Sequence, residues 1–96
     1  MYGLIGKIDC VEGKREALTD ILLTGVADMP GCLSYIIAND KLDENALWVT
    51  EVWTDETHHK ASIMLPSVQE AIKLGKPMIK GFAERFETCP TGGIGL

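Results

Sequence analysis

The sequence predicts an α+β sandwich: a four-stranded antiparallel sheet with helices packed on one side of it. Three observations predict it. Four segments of β-type composition and two of helical periodicity follow one another as strand, helix, strand, strand, helix, strand. The chain of 96 residues is the length of one domain, and no linker, repeat or low-complexity run divides it. With 46% hydrophobic and 24% charged residues, its composition is that of a folded globular chain.

Each element has its own signal. Tyr2 to Cys10 carries Leu4, Ile5 and Ile8 among small residues and reads as a strand, weakened by Gly3 and Gly6. Glu12-Gly13 turns the chain. From Lys14 to about Met29, Leu18, Ile21, Leu22, Val26 and Met29 recur at helical spacing, and Pro30-Gly31 stops the run. Cys32 to Asn39 is rich in β-formers, with Leu33, Tyr35 and Ile37 on one face. Asp40 to Asn45 is a polar turn, and Ala46 to Trp53 is the strongest strand signal in the chain. Thr54-Asp55-Glu56 supplies a capping side chain and an acid where a helix would begin. That helix runs toward Met64, breaks at Pro66 and resumes to Gly75. Phe82 to Glu87 is the last strand, and the Gly-rich tail beyond it has no regular pattern. This βαββαβ order is that of a ferredoxin-like sandwich. Residues 1–96 form its single domain. One sheet face has no helix left to cover it, so a homodimer packed sheet to sheet is expected.

Charge and cysteine usage narrow the partners. Fourteen acidic against nine basic residues give a net charge of −5, which argues against nucleic acid and against an anionic membrane surface. No stretch nears the roughly 20 apolar residues of a membrane span. The N-terminus lacks a basic segment followed by a long apolar one, so no signal peptide is expected and the location is cytoplasmic. Cys10, Cys32 and Cys89 are odd in number and form no CxxC, so buried, reduced thiols are expected rather than a disulfide or zinc site.

Motifs for nucleotide phosphates, for a nucleophilic serine elbow and for a zinc helix are absent. His58 and His59 are adjacent on a helix and diverge by about 100°, so they do not converge on a metal. One constellation remains. Alternation puts Val49, Glu51 and Trp53 on one strand face, and His59, one turn into the next helix, is in reach of Glu51. A carboxylate beside Trp on a half-buried strand needs a partner, and a His held by it is a base near neutral pH. The same spacing also fits a Glu51 that caps a helix or pairs with a lysine, with Trp53 as core. Tyr35 on the neighbouring strand points a hydroxyl at the same space or fills the core. Arg85 is a solvated, interface or anion-binding charge, and Trp48, of opposite parity to Trp53, belongs to the dimer side.

The runs PGCLSY (Pro30–Tyr35), EVWTDETHHKAS (Glu51–Ser62), KPMIKGFAERFET and PTGG resemble the antibiotic biosynthesis monooxygenase family. The E-x-W followed by a helical His is the most specific part, and the likeness extends from near Tyr2 to the last strand. It implies a dimeric α+β barrel with a ligand cavity between helices and sheet in each protomer. It also implies oxidation of a phenolic, quinol or anthrone-like molecule by dioxygen, with no metal or flavin cofactor. On this reading His59 is the base or anion partner, Glu51 orients it, Trp53 stacks on the ring and Tyr35 bonds a ring oxygen. Ser62 matches the family's small hydroxyl residue, and Met64 joins it in shaping the substrate site. Haem degradation is disfavoured: the first strand has no Asn, and SVQEAIK has no His to serve as axial ligand. A dimer that binds a small molecule without turning it over is the alternative, and a purely structural dimer is a third reading.

Overall fold

A computed structural model describes residues 1–96. Strand β1 spans Tyr2–Cys10, helix α1 Arg15–Gly25, strand β2 Cys32–Asn39 and strand β3 Ala46–Trp53. Helices α2, Glu56–Ser62, and α3, Pro66–Gly75, follow, then a single 3₁₀ turn at Lys76–Met78 and strand β4, Ile79–Thr88. The four strands form one antiparallel sheet in the order β2-β3-β1-β4. This is the expected α+β, ferredoxin-like fold. No helix is long and apolar enough to cross a membrane.

Period-two alternation decides which side chains meet the helices. Leu4, Ile8 and Cys10 of β1 and Leu47, Val49 and Trp53 of β3 are buried. Two core clusters result. Ile8, Cys10, Leu18, Leu47 and Val49 make one; Tyr2, Leu4, Met29 and Trp53 make the other, and Tyr35 packs against both. Helices α1 and α3 approach closely because Gly25 faces Ala71: a Cβ on Gly25 would stand 2.4 Å from the Ala71 Cβ. The second sheet face carries Ile36 and Phe86, both more than half exposed.

Two helix limits follow from caps and breakers. Asp55 begins α2 by accepting a hydrogen bond from the His58 backbone N–H at 2.8 Å. Pro66 opens α3, where its missing N–H costs nothing. Gly31 holds φ at +80°, and a Cβ there would lie 2.5 Å from His58 Cγ, so only glycine lets this turn pass under α2.

Three expectations are corrected. Helix α1 ends at Gly25 rather than near Met29, because Val26 and Met29 keep helical spacing while packing into the core from a turn. Strand β4 begins at Ile79, ahead of the expected Phe82, since pairing with β1 extends the ladder past Gly81. Its register shifts between Lys7 and Ile8, where Ala83 is the extra residue, so Phe82 pairs with Ile8 and leaves the face of Phe86. Of the three thiols only Cys10 is buried; Cys89, in the tail beyond β4, is exposed.

Candidate active site

A cavity of about 660 Å³ opens between the sheet and helices α1 and α3, and the edge strand β4 forms one lip. Leu4, Ile8, Leu18, Leu22 and Val49 make its inner wall, and Ile72, Ile79 and Phe82 its outer part. Its size is that of a pocket for a small organic molecule. The space exists partly because β1 carries glycine where it could carry a side chain. Gly6 pairs with Val49 on one side and Arg85 on the other, and the nearest atom to a Cβ there would be 3.7 Å away.

Two polar groups reach this apolar space. Glu51 and Tyr35 are directly paired across β3 and β2, and both line the cavity. Glu51 is only 9% exposed and sits on β3 between Val49 of one core cluster and Trp53 of the other. Its Oε1 accepts a hydrogen bond from Trp53 Nε1 at 3.0 Å. His59 Nε2 stands 3.8 Å from the same oxygen. The second carboxylate oxygen has no partner in the chain, and no fully buried side-chain polar atom is unpaired, so that oxygen meets open space. Burial pushes the Glu51 carboxyl above its usual range, against the pull of the Trp53 hydrogen bond and the positive charge of His59 and Arg85. Tyr35 is pushed up by its own burial first and by the Glu51 charge second, so its hydroxyl stays protonated and serves as a donor.

Behind the carboxylate lies an aromatic layer. The His59 ring is 5.3 Å from Tyr2, tilted, and 5.5 Å from Trp53, edge-on. The Tyr2 hydroxyl donates to Glu87 Oε2 at 2.7 Å. Trp53 is fully buried. The alternation of β3 and the first turn of α2 thus bring Glu51, Trp53 and His59 together, with Glu51 alone of the three in the cavity wall. The expected helix-capping or lysine-pairing duties of Glu51 are not what this geometry shows.

Ser62 and Met64 fall outside the cavity wall. Ser62 is buried at the end of α2, and its hydroxyl donates to the His59 carbonyl at 2.6 Å, bracing the turn that carries the imidazole. Met64 follows α2, is 75% exposed and takes no part in the cavity wall. Arg85 does line the cavity, and its Nη1 lies 3.7 Å from Glu87 Oε1. Gly6, Ile72 and Phe82 were missed by sequence reasoning. The signal for Gly6 was present: a glycine inside a strand marks a place where something must come close. No three acidic, His or Cys side chains are grouped to hold a metal ion.

The family model of the antibiotic biosynthesis monooxygenases matches residues 1–74. A crystal structure of a Chloroflexus aurantiacus protein assigned to that family is 53% identical, with a TM-score of 0.94 over 96% of this chain and 94% of the other. A Pseudomonas aeruginosa protein at 20% identity superposes with a TM-score of 0.81, covering 95% and 94% of the two chains. A Deinococcus radiodurans protein at 19% identity does so with a TM-score of 0.78 over 98% and 96%. The last two likenesses concern the fold. No curated protein matches the chain.

Proposed function

The chain belongs to the antibiotic biosynthesis monooxygenase family, and on that premise we propose that it is a cofactor-independent monooxygenase of a phenolic, quinol or anthrone-like molecule. Residues 1–96 act as one domain in a cytoplasmic homodimer. The observation that carries the reading is Glu51: one carboxylate oxygen tied to Trp53, the other open to an apolar cavity. A desolvated carboxylate in such a wall takes a proton from a bound phenol or activated methylene more readily than one in water. The resulting carbanion gives its electrons to dioxygen and forms a C–O bond. Protonation and cleavage of the O–O bond release water and leave a carbonyl, one oxygen atom in each product. The apolar walls shield the anion from water, and the Tyr35 hydroxyl donates to the ring oxygen on which charge gathers.

This reading moves the base from His59 to Glu51. His59 becomes a positioning residue that favours the ionised carboxylate, and Trp53 holds one oxygen so that the other faces the substrate. Ser62 supports His59, and Met64, two residues beyond α2, is an outer contact for a bulky substrate. The test is oxygen uptake by metal-free protein with a panel of quinols and anthrones. Substrate-dependent uptake that collapses in Glu51→Gln and falls less in His59→Ala is the expected result. Equal uptake by wild type and Glu51→Gln means autoxidation and overturns it. One observation favours the binding-only alternative: the imidazole, the group best suited to proton transfer near neutral pH, lies outside the cavity wall. Saturable ligand binding with no product is the result that would establish that alternative.

A further inference from the structure

We propose that the ligand of this cavity is an organic acid, an apolar ring body bearing a carboxylate that Lys76, Lys80 and Arg85 meet at the mouth. The inference rests on the cavity being the substrate site. The chain has nine cationic residues and a net charge of −5. Three of those nine line this one opening. Each arrives by a different local device. Lys76 starts the 3₁₀ turn after α3. Lys80 is the extra residue where the β1–β4 register shifts between Asp9 and Cys10. Arg85 pairs with Gly6, so no side chain fills the space beside it on β1.

Two carboxylates also line the cavity, Glu51 and Glu84. Glu51 forms part of the inner wall already described. Glu84 pairs with Lys7, whose position in β1 alternates away from Leu4 and Ile8, so strand geometry directs its side chain to the other sheet face. Lys76 and Lys80 make no ion pair within the chain. The contact of Arg85 with Glu87 uses one guanidinium nitrogen at 3.7 Å, which leaves the other donors of the fork for a second carboxylate. A positive opening in a negative molecule concentrates small anions and rejects cations. Three separate side chains with no glycine-rich loop between them supply charge without a backbone N–H cradle for phosphate, and the planar guanidinium fork of Arg85 matches a planar carboxylate. A ligand of this shape enters ring first, with its acidic group left at the rim.

The deciding experiment compares two forms of one quinol, dihydroxynaphthoate and dihydroxynaphthalene, by calorimetric titration without oxygen. Wild type is expected to bind the acid about tenfold more tightly at low salt, a few exposed charge pairs acting together. That preference shrinks as salt is raised. It disappears in the Lys76→Gln, Lys80→Gln, Arg85→Gln triple variant. Equal affinities in wild type, a preference indifferent to salt, or one that survives in the triple variant overturns the proposal. The salt series on wild type decides the matter should the variant fail to fold. Two equal affinities with oxygen uptake intact sink the acid inference alone. Failure of both compounds to bind sinks the cavity reading and this proposal with it.

Discussion

Glu51 is the residue on which chemistry and stability pull in opposite directions. Its carboxyl titrates above the usual range because burial disfavours the anion. A group whose folded-state value is raised stabilises the fold below its ordinary range and loses that contribution as pH rises through the raised value. Oxygen uptake should therefore climb with pH through the same window in which thermal stability declines. Glu51→Gln keeps an oxygen for Trp53 Nε1 and removes the buried charge. It is expected to raise stability near neutral pH, to flatten its pH dependence and to lower the rate roughly 10²-fold or more. Melting curves and initial rates from pH 4 to 8 check both halves, and a variant that melts lower at neutral pH would refute the desolvation account. The trio of Glu51, Trp53 and His59 was legible in sequence because it depends on two short-range rules, strand alternation and one helical turn. Which of the three faces the ligand was not legible. That depends on how α1, α3 and β4 close around the sheet, and the chain separates α1 from α3 and β4 by about forty residues or more.

At the scale of elements, β1, β2 and β3 have the limits their composition predicts, since β-branched and aromatic runs bounded by turns are local signals. The start of the edge strand β4 is not legible in the same way. Lys76-Pro77 and Gly81 look like breakers, and only pairing with β1, a contact across most of the chain, recruits Ile79 to Gly81. The same distance hid the cavity, whose clearest trace is Gly6. Gly6→Val adds methyl groups where the nearest atom to a Cβ is 3.7 Å off, and Gly6 holds no positive φ. The substitution is expected to stabilise β1 by about 0.5–1 kcal/mol, as a side chain replaces the most flexible residue in a strand interior. It should weaken ligand binding at least several-fold by filling space. Gly25→Ala points the other way: its Cβ would fall 2.4 Å from that of Ala71 and must push α1 from α3. A loss of about 1–3 kcal/mol in denaturant unfolding is expected, and an unchanged midpoint would show that the helices slide freely.

Only 16 of the 96 residues are buried in the isolated chain, which leaves this protomer with a thin core. The sheet face opposite the helices presents Ile36 at 57% exposure and Phe86 at 53%. Covering that face with a second copy would supply what the single chain lacks. Sedimentation is expected to show a dimer, and the melting temperature should rise with protein concentration. Ile36→Glu combined with Phe86→Glu should give a monomer that melts lower. A wild-type protein that sediments as a monomer at all concentrations would contradict the sheet-to-sheet arrangement.

The ten residues Ile79–Thr88 of β4 pair with only eight of β1, Gly3–Cys10, because Lys80 and Ala83 are extra. Removing both would leave Phe82 opposite Ile8 and Ile79 opposite Cys10, so the apolar part of the cavity wall would keep its facing residues while the mouth lost Lys80. The outer edge, however, would become a straight row of unpaired backbone donors and acceptors without its irregularities and without a lysine. Such an edge is a template for another chain's strand. The shortened protein should fold and then associate edge to edge into insoluble material, so the two surplus residues keep a barely covered sheet from growing sideways.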